Sequence, residues 1–176
     1  DRFHGAWPHW IDGNTGKVIP FSTKDNGGDL VETAFMAQGL IAMRQYLKPT
    51  VPEEKSLIDR INVLFNGIEW DWYTRGGQNV MYWHWSPNYG WDMNFKLQGY
   101  NETLITYIIA AASTTHTIPA VAYHEGYARS GAIKNGKTFY GYVLPLGYDY
   151  GGPLFFAHYS FLGLDPRKLS DTYANY

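Results

Sequence analysis

Four carboxylates are placed to do acid–base chemistry. Asp25, Asp29 and Glu32 fall close together in Ser22-Thr23-Lys24-Asp25-Asn26-Gly27-Gly28-Asp29-Leu30-Val31-Glu32, and Glu102 follows Asn101 at the start of a later apolar run. Two carboxyl groups in one pocket are what cleavage of a glycosidic bond needs: one protonates the leaving oxygen, the other activates water or attacks the anomeric carbon. Each also has a plain structural use. Asp29-x-x-Glu32 has the spacing of a helix-capping box, and Glu102 stands where a carboxylate favours the positive end of a helix. Burial beside aromatic rings would raise the pKa of Glu102, and a helix-dipole effect of about 0.3–1 kcal/mol loses to strong desolvation, so a general acid at this position is physically sound.

Between Asp71 and Tyr100 the helical periodicity lapses, and Trp72, Tyr73, Tyr82, Trp83, Trp85, Tyr89 and Trp91 interleave with Gly, Asn and Pro. A long aromatic loop of this kind is usually functional. Sugar rings offer apolar C–H faces rimmed by hydroxyls, so Trp83, His84, Trp85 and Trp91 read as a saccharide subsite, with Trp10, Trp70, Trp72 and Tyr73 as its extension. The competing reading is a core corner, which one or two of these Trp residues are expected to serve.

Three helices must position these groups. Apolar spacing predicts a first helix over Asp29–Leu47, closed by Pro49, and a second from Pro52 to about Trp70. A third, apolar nearly all round and hence buried, is predicted from Asn101 or Glu102 to Ser113, with a shorter helix over Pro119–Arg129. Phe139–Gly147 alternates as a small hairpin does. The expected class is all-α with long aromatic loops.

The composition narrows the function. With 17 % charged residues and a formal charge of −2 there is no basic field for phosphates, so nucleic acid is not an expected partner. Aromatics at 18 %, including 7 Trp and 15 Tyr, exceed what a small core needs and favour a weakly charged ligand. No stretch is long and apolar enough to span a membrane, and no signal segment is seen from Asp1 onward. Cys is absent. The six His residues form no helical His-x-x-x-His pair, no Gly-x-Ser-x-Gly elbow occurs, and neither a metal nor another cofactor is expected.

The segments Ser22–Phe35, Ile68-Glu69-Trp70-Asp71-Trp72, Tyr100-Asn101-Glu102, Thr115-His116-Thr117-Ile118-Pro119 and Gly152-Pro153-Leu154-Phe155-Phe156-Ala157-His158-Tyr159-Ser160 resemble, in that order, the bacterial glucoamylase-like family, and within it the β-1,2-glucan-degrading enzymes such as endo-β-1,2-glucanases. The resemblance implies a six-fold α/α toroid, of which residues 1–176 would be one incomplete segment, since a closed ring needs roughly twice this length. It further implies inverting hydrolysis of glucan, with Glu102 as general acid, Asp25 and Asp29 orienting water or substrate, and Glu32 supporting them. His158 and Tyr159 join the substrate-binding set through the last of these motifs. A general base supplied from outside the segment stays open, as does a non-catalytic glucan-binding protein of the same fold, or a helical interaction module with its Trp residues buried. A periplasmic or secreted location is expected, because such enzymes work on exported polysaccharide.

Overall fold

A computed structural model describes residues 1–176 throughout. Its elements are β1 (Trp10–Ile11), β2 (Val18–Ile19), β3 (Gly28–Asp29), α1 (Leu30–Tyr46), α2 (Pro52–Asn66), β4 (His84–Trp85), α3 (Leu104–Ala112), a π-helix at Ala122–Tyr127, and β5 (Thr138–Phe139) with β6 (Tyr142–Val143). Short 3-10 turns at Leu154–Ala157 and Tyr159–Leu162 follow. The expected helices exist and carry the core. The all-α expectation is corrected in one respect: three two-stranded antiparallel ladders, β1-β2, β3-β4 and β5-β6, accompany the helices, where one hairpin was foreseen.

Asp29 caps α1: its backbone is extended, and its side chain accepts from the amides of Val31 and Glu32. Leu30, Val31, Ala34 and Ala37 are buried in the first half of α1, whereas Met36, Met43 and Tyr46 are exposed. Pro52 opens α2, where its missing N–H costs nothing. That helix ends at Asn66, with Gly67 as its cap, rather than at Trp70, so Ile68 and Trp70 enter the core from irregular chain. The third helix begins at Leu104, two or three residues later than expected. Asn101 is the reason: its Oδ1 accepts from both N–H and O–H of Thr103, folding the chain into an Asx-type turn before the helix starts. Glu102 therefore sits in that turn, outside the helix.

Buried Leu104, Ile105, Tyr107, Ile109 and Ala110 of α3 pack with α1 and with Phe65 of α2 around Trp70, Tyr73 and Tyr127. Tyr107 is pinned at depth, its hydroxyl donating to the Leu97 carbonyl and accepting from the Met81 amide. The shorter helix expected over Pro119–Arg129 is a π-helix confined to Ala122–Tyr127, and the chain leaves it through left-handed backbone at Arg129 (φ 49°) and Ser130 (φ 53°). Gly126 lets this turn press on its neighbours: a Cβ there would stand 2.8 Å from the Asn79 carbonyl oxygen and 2.9 Å from the Tyr107 hydroxyl.

Candidate active site

The β3–β4 ladder brings the acidic segment to the aromatic loop, with Gly28 opposite Trp85 and Asp29 opposite His84. Glycine is required for this approach, since a Cβ on Gly27 would lie 2.1 Å from the Trp85 carbonyl oxygen and one on Gly28 would lie 2.0 Å from the Tyr73 hydroxyl. Asp29 is fully buried. Its Oδ1 accepts from the Val31 amide (3.1 Å), the Glu32 amide (3.0 Å) and Trp83 Nε1 (2.8 Å), and its Oδ2 lies 2.9 Å from His9 Nδ1 and 3.7 Å from His84 Nε2. Burial works to raise its pKa, but His84, His9 and the Glu32 amide overcome that and hold it below the usual carboxylate range. A buried charge is tolerated only when paired and hydrogen-bonded, and here both conditions are met.

Asp25, also buried, reaches the same histidine, with Oδ2 3.2 Å from His84 Nε2. Burial alone would lower the pKa of His84, yet the two aspartates outweigh it and push the value up to about 9. His9 is raised as well, chiefly by its hydrogen bond to Asp29. The sequence reading missed His9, because nothing in Trp7-Pro8-His9-Trp10 says which carboxylate a loop histidine will meet.

The two glutamates behave in the opposite sense. Glu32, half-buried in the first turn of α1, is raised by burial and then by the negative charges of Asp29 and Glu102, against an opposing pull from His9. Glu102 is raised by burial, opposed by its own backbone amide, and its Oε2 is buried with no hydrogen-bond partner. Only half of the predicted capping box forms: the Asp29 side chain caps, while the Asp29 amide donates to the Trp7 carbonyl rather than to Glu32. The Glu32 carboxyl is thereby left for other work. Ser160 holds the Glu102 turn, its hydroxyl donating to the Glu102 carbonyl (2.8 Å) and accepting from the Ile105 amide (3.1 Å).

Three adjoining cavities collect these groups. Glu102 lines one of about 600 Å³ with Trp83, Phe95, Gln98, Arg129 and Tyr148. Asp25, Asp29 and His84 line a second of about 290 Å³, which shares Trp83 and Phe95 with the first. Glu32 lines a third of about 370 Å³ with Trp7 and Phe35, sharing His9 with the second. Arg129, Phe95 and Tyr148 were not singled out in the sequence; the left-handed backbone at Arg129 has no sequence signal, Arg being unfavourable there.

The aromatic set divides. Trp83 and His84 belong to the cavity walls, their rings stacked at 5.7 Å. Successive strand residues face opposite sides, so Trp85 points away from His84 toward His4. There His4 stacks on Trp72 at 3.7 Å, and Trp91 lies tilted 6.3 Å from Trp72 and edge-on to Tyr73. Trp72, Trp85 and Trp91 thus form a cluster of their own outside the three cavities. Trp10 is exposed on β1, edge-on to Phe21, which does line the Asp25 cavity. His158 is exposed and bonded to the Leu154 carbonyl, and the Tyr159 ring meets Phe35 edge-on.

His9, Asp29 and Glu32, and likewise Asp25, Asp29 and His84, hold possible ligand atoms within 4.8 Å of one another. In the second group His84 Nε2, the atom a cation would use, lies 3.2 Å from Asp25 and 3.7 Å from Asp29, and the two aspartates raise the histidine's pKa to about 9. The arrangement sets Asp29, held below the usual carboxylate range, beside Glu32 and Glu102, both raised above it, which is the division of labour acid–base hydrolysis asks for.

The glycoamylase family model, "Putative glucoamylase", matches residues 94–176. The chain is 45 % identical, over its full length, to an exo-β-1,2-glucooligosaccharide sophorohydrolase of Parabacteroides distasonis, of which it covers 27 %. It superposes on an endo-β-1,2-glucanase of Chitinophaga pinensis, solved with sophorotriose and glucose, with a TM-score of 0.96 and 60 % identity, covering 99 % of this chain and 43 % of that one. A β-1,2-glucanase of Parabacteroides distasonis gives a TM-score of 0.93 at 45 % identity, covering all of this chain and 28 % of that one. The chain therefore spans less than half the length of the relatives it matches. With the motifs in order, the fold superposed and the family match covering the Glu102 turn and the Ser160 latch, the chain belongs to the glucoamylase-like family.

Proposed function

We propose that the protein carrying this chain is a glycoside hydrolase that cleaves β-1,2-linked glucan with inversion, and that Glu102 is its general acid. One observation carries this reading: Glu102, whose Oε2 is buried without a partner, lines a cavity whose wall, Trp83 and Phe95, also bounds the aspartate network. Burial raises the pKa of Glu102, the direction a group that must donate a proton to the leaving oxygen requires. Asp25 and Asp29 orient the attacking water or the substrate hydroxyl that relays its proton, and Glu32 supports them. Trp83 and His84 contribute to the sugar subsite directly, and Trp10, Tyr159 and His158 lie along its approaches; Trp72, Trp85 and Trp91 brace the β3–β4 ladder from behind. Support for the substrate comes from the relatives, which are named for β-1,2-glucan and its oligosaccharides. The wider fold we infer is the six-fold toroid, with residues 1–176 as one part of the ring and the glucan held at the end where the aromatic loops gather. An exported location is part of this reading, since such enzymes work on exported polysaccharide, and fractionation of native cells tests it.

The catalytic test uses the full-length protein and β-1,2-glucan. Glu102→Gln keeps shape but cannot protonate, so release of reducing ends is expected to fall by about 10²-fold or more while glucan binding persists. NMR of the first products is expected to show the inverted, α-configured reducing end. Near-normal turnover in Glu102→Gln would remove Glu102 from the role, and binding without any cleavage by the wild type would make the protein a glucan-binding relative.

A further inference from the structure

We propose that His84 acts as a positioning residue, a single imidazolium lodged between Asp25 and Asp29 that fixes both side chains for catalysis. The inference rests on the hydrolase reading above and adds to it a role beyond that of a subsite ring.

The geometry comes from two distant parts of the chain, the segment from Asp25 to Asp29 and strand β4. The β3–β4 register sets His84 directly across from Asp29, and the turn before β3 swings Asp25 onto the same nitrogen, with Nε2 at 3.2 Å from Asp25 and 3.7 Å from Asp29. Only a proton-bearing Nε2 can serve two carboxylates at once. The ring cannot turn away, because Trp83 stacks along one face and the side chain is 12 % exposed. Its other nitrogen, Nδ1, is buried without a partner, an arrangement that costs stability and that the two flanking negative charges offset.

Other charges around this pair do not supply a substitute. His9 contacts Asp29 Oδ2 but not Asp25, Glu32 adds negative charge from the first turn of α1, and Lys24 pairs outward with Asp92. No arginine lines the Asp25 cavity. Without His84, the two aspartates would share a buried site with only His9 as a counter-charge. The expected consequence is repulsion between them, a shift of Asp29 out of its capping geometry, and uptake of a proton at a pH where the wild type has none.

Two measurements test this on the full-length protein. Imidazole 15N shifts of the wild type are expected to report His84 as doubly protonated at pH 7.5; a neutral ring at that pH overturns the proposal whether or not the protein hydrolyses glucan. His84→Gln retains a donor near Nε2 but no charge. Against β-1,2-glucan it is expected to lower kcat by about 10- to 100-fold, the scale on which orienting partners act, with little change in KM, and to move the acid limb of the kcat/KM profile to higher pH. His84→Lys, which restores a cation, is expected to bring that limb back toward the wild type. An unmoved acid limb in His84→Gln, with thermal unfolding showing the variant folded, sinks the positioning role and leaves a structural one. Absence of cleavage by the wild type sinks the hydrolase reading alone, since the 15N result stands apart from it.

Discussion

At the scale of single residues, the acidic cluster is a balance between burial and counter-charge, and that balance has a pH signature. His84 is raised from an ordinary 6.5 to about 9, so its contribution to stability is fully present below 6.5 and is lost as pH rises through 9. Thermal melts of the wild type are expected to decline across that window, and His84→Gln is expected to show a flatter profile there. Equal slopes for the two proteins would mean that the imidazolium is no part of the fold's stability. Much of this site was legible in the sequence, but unevenly. Asp29 could be named because the capping position of a periodic helix is a local property. His84 could be named only as an aromatic neighbour, because its two aspartates reach it through a strand register that one-dimensional spacing does not encode. His9 was invisible for the same reason.

Elements show a similar division. Helix existence followed from apolar spacing, while helix ends were decided by Gly67 and by the Asn101 side chain, which act against periodicity. The three two-residue ladders were beyond reach: a strand of two residues has no alternation to detect, and each is held by what packs beside it. The placement of Glu102 depends on an element far along the chain, since Ser160 bonds its carbonyl and the Ile105 amide. Removing that hydroxyl leaves two buried backbone groups unpaired. Ser160→Ala is therefore expected to cost about 1–3 kcal/mol in chemical denaturation and to reduce glucan turnover more than glucan binding. A loss of neither would show the Glu102 turn to be held by Asn101 alone.

For the whole molecule, the telling feature is apolar surface. Met36, Met43 and Tyr46 on α1 and Val63 on α2 are exposed, and a cavity of about 400 Å³ between α1 and α3 is walled by Ile41, Phe65, Ile105, Ile108 and Leu164. Apolar surface left open on several sides is what a larger fold would cover. The proposed ring gives it a partner within the same protein. Hydroxyl-radical footprinting is expected to protect Met36 and Met43 in the full-length protein and to oxidise them in a polypeptide of residues 1–176. Equal oxidation in both would place the remaining helices elsewhere. The proposed six-fold ring rests on family resemblance, because closure is a relation among helices and three of them do not define it.

The Ser160 latch bears on when, as well as where, the acid is assembled. Its two bonds span 58 and 55 residues, closures that a growing polypeptide cannot make until the segment beyond Ala157 has emerged. Asp29, by contrast, receives its Val31 and Glu32 amides as soon as the first helical turn winds. The cap on Asp29 is thus built early and locally, whereas its bond from Trp83, 54 residues on, and the Ser160 latch on Glu102 close late and at long range. A chain still being synthesised would hold the Asp29 cap without the site around it, so the proposed hydrolytic competence would arrive with the closing of the tertiary structure rather than with the folding of any one helix.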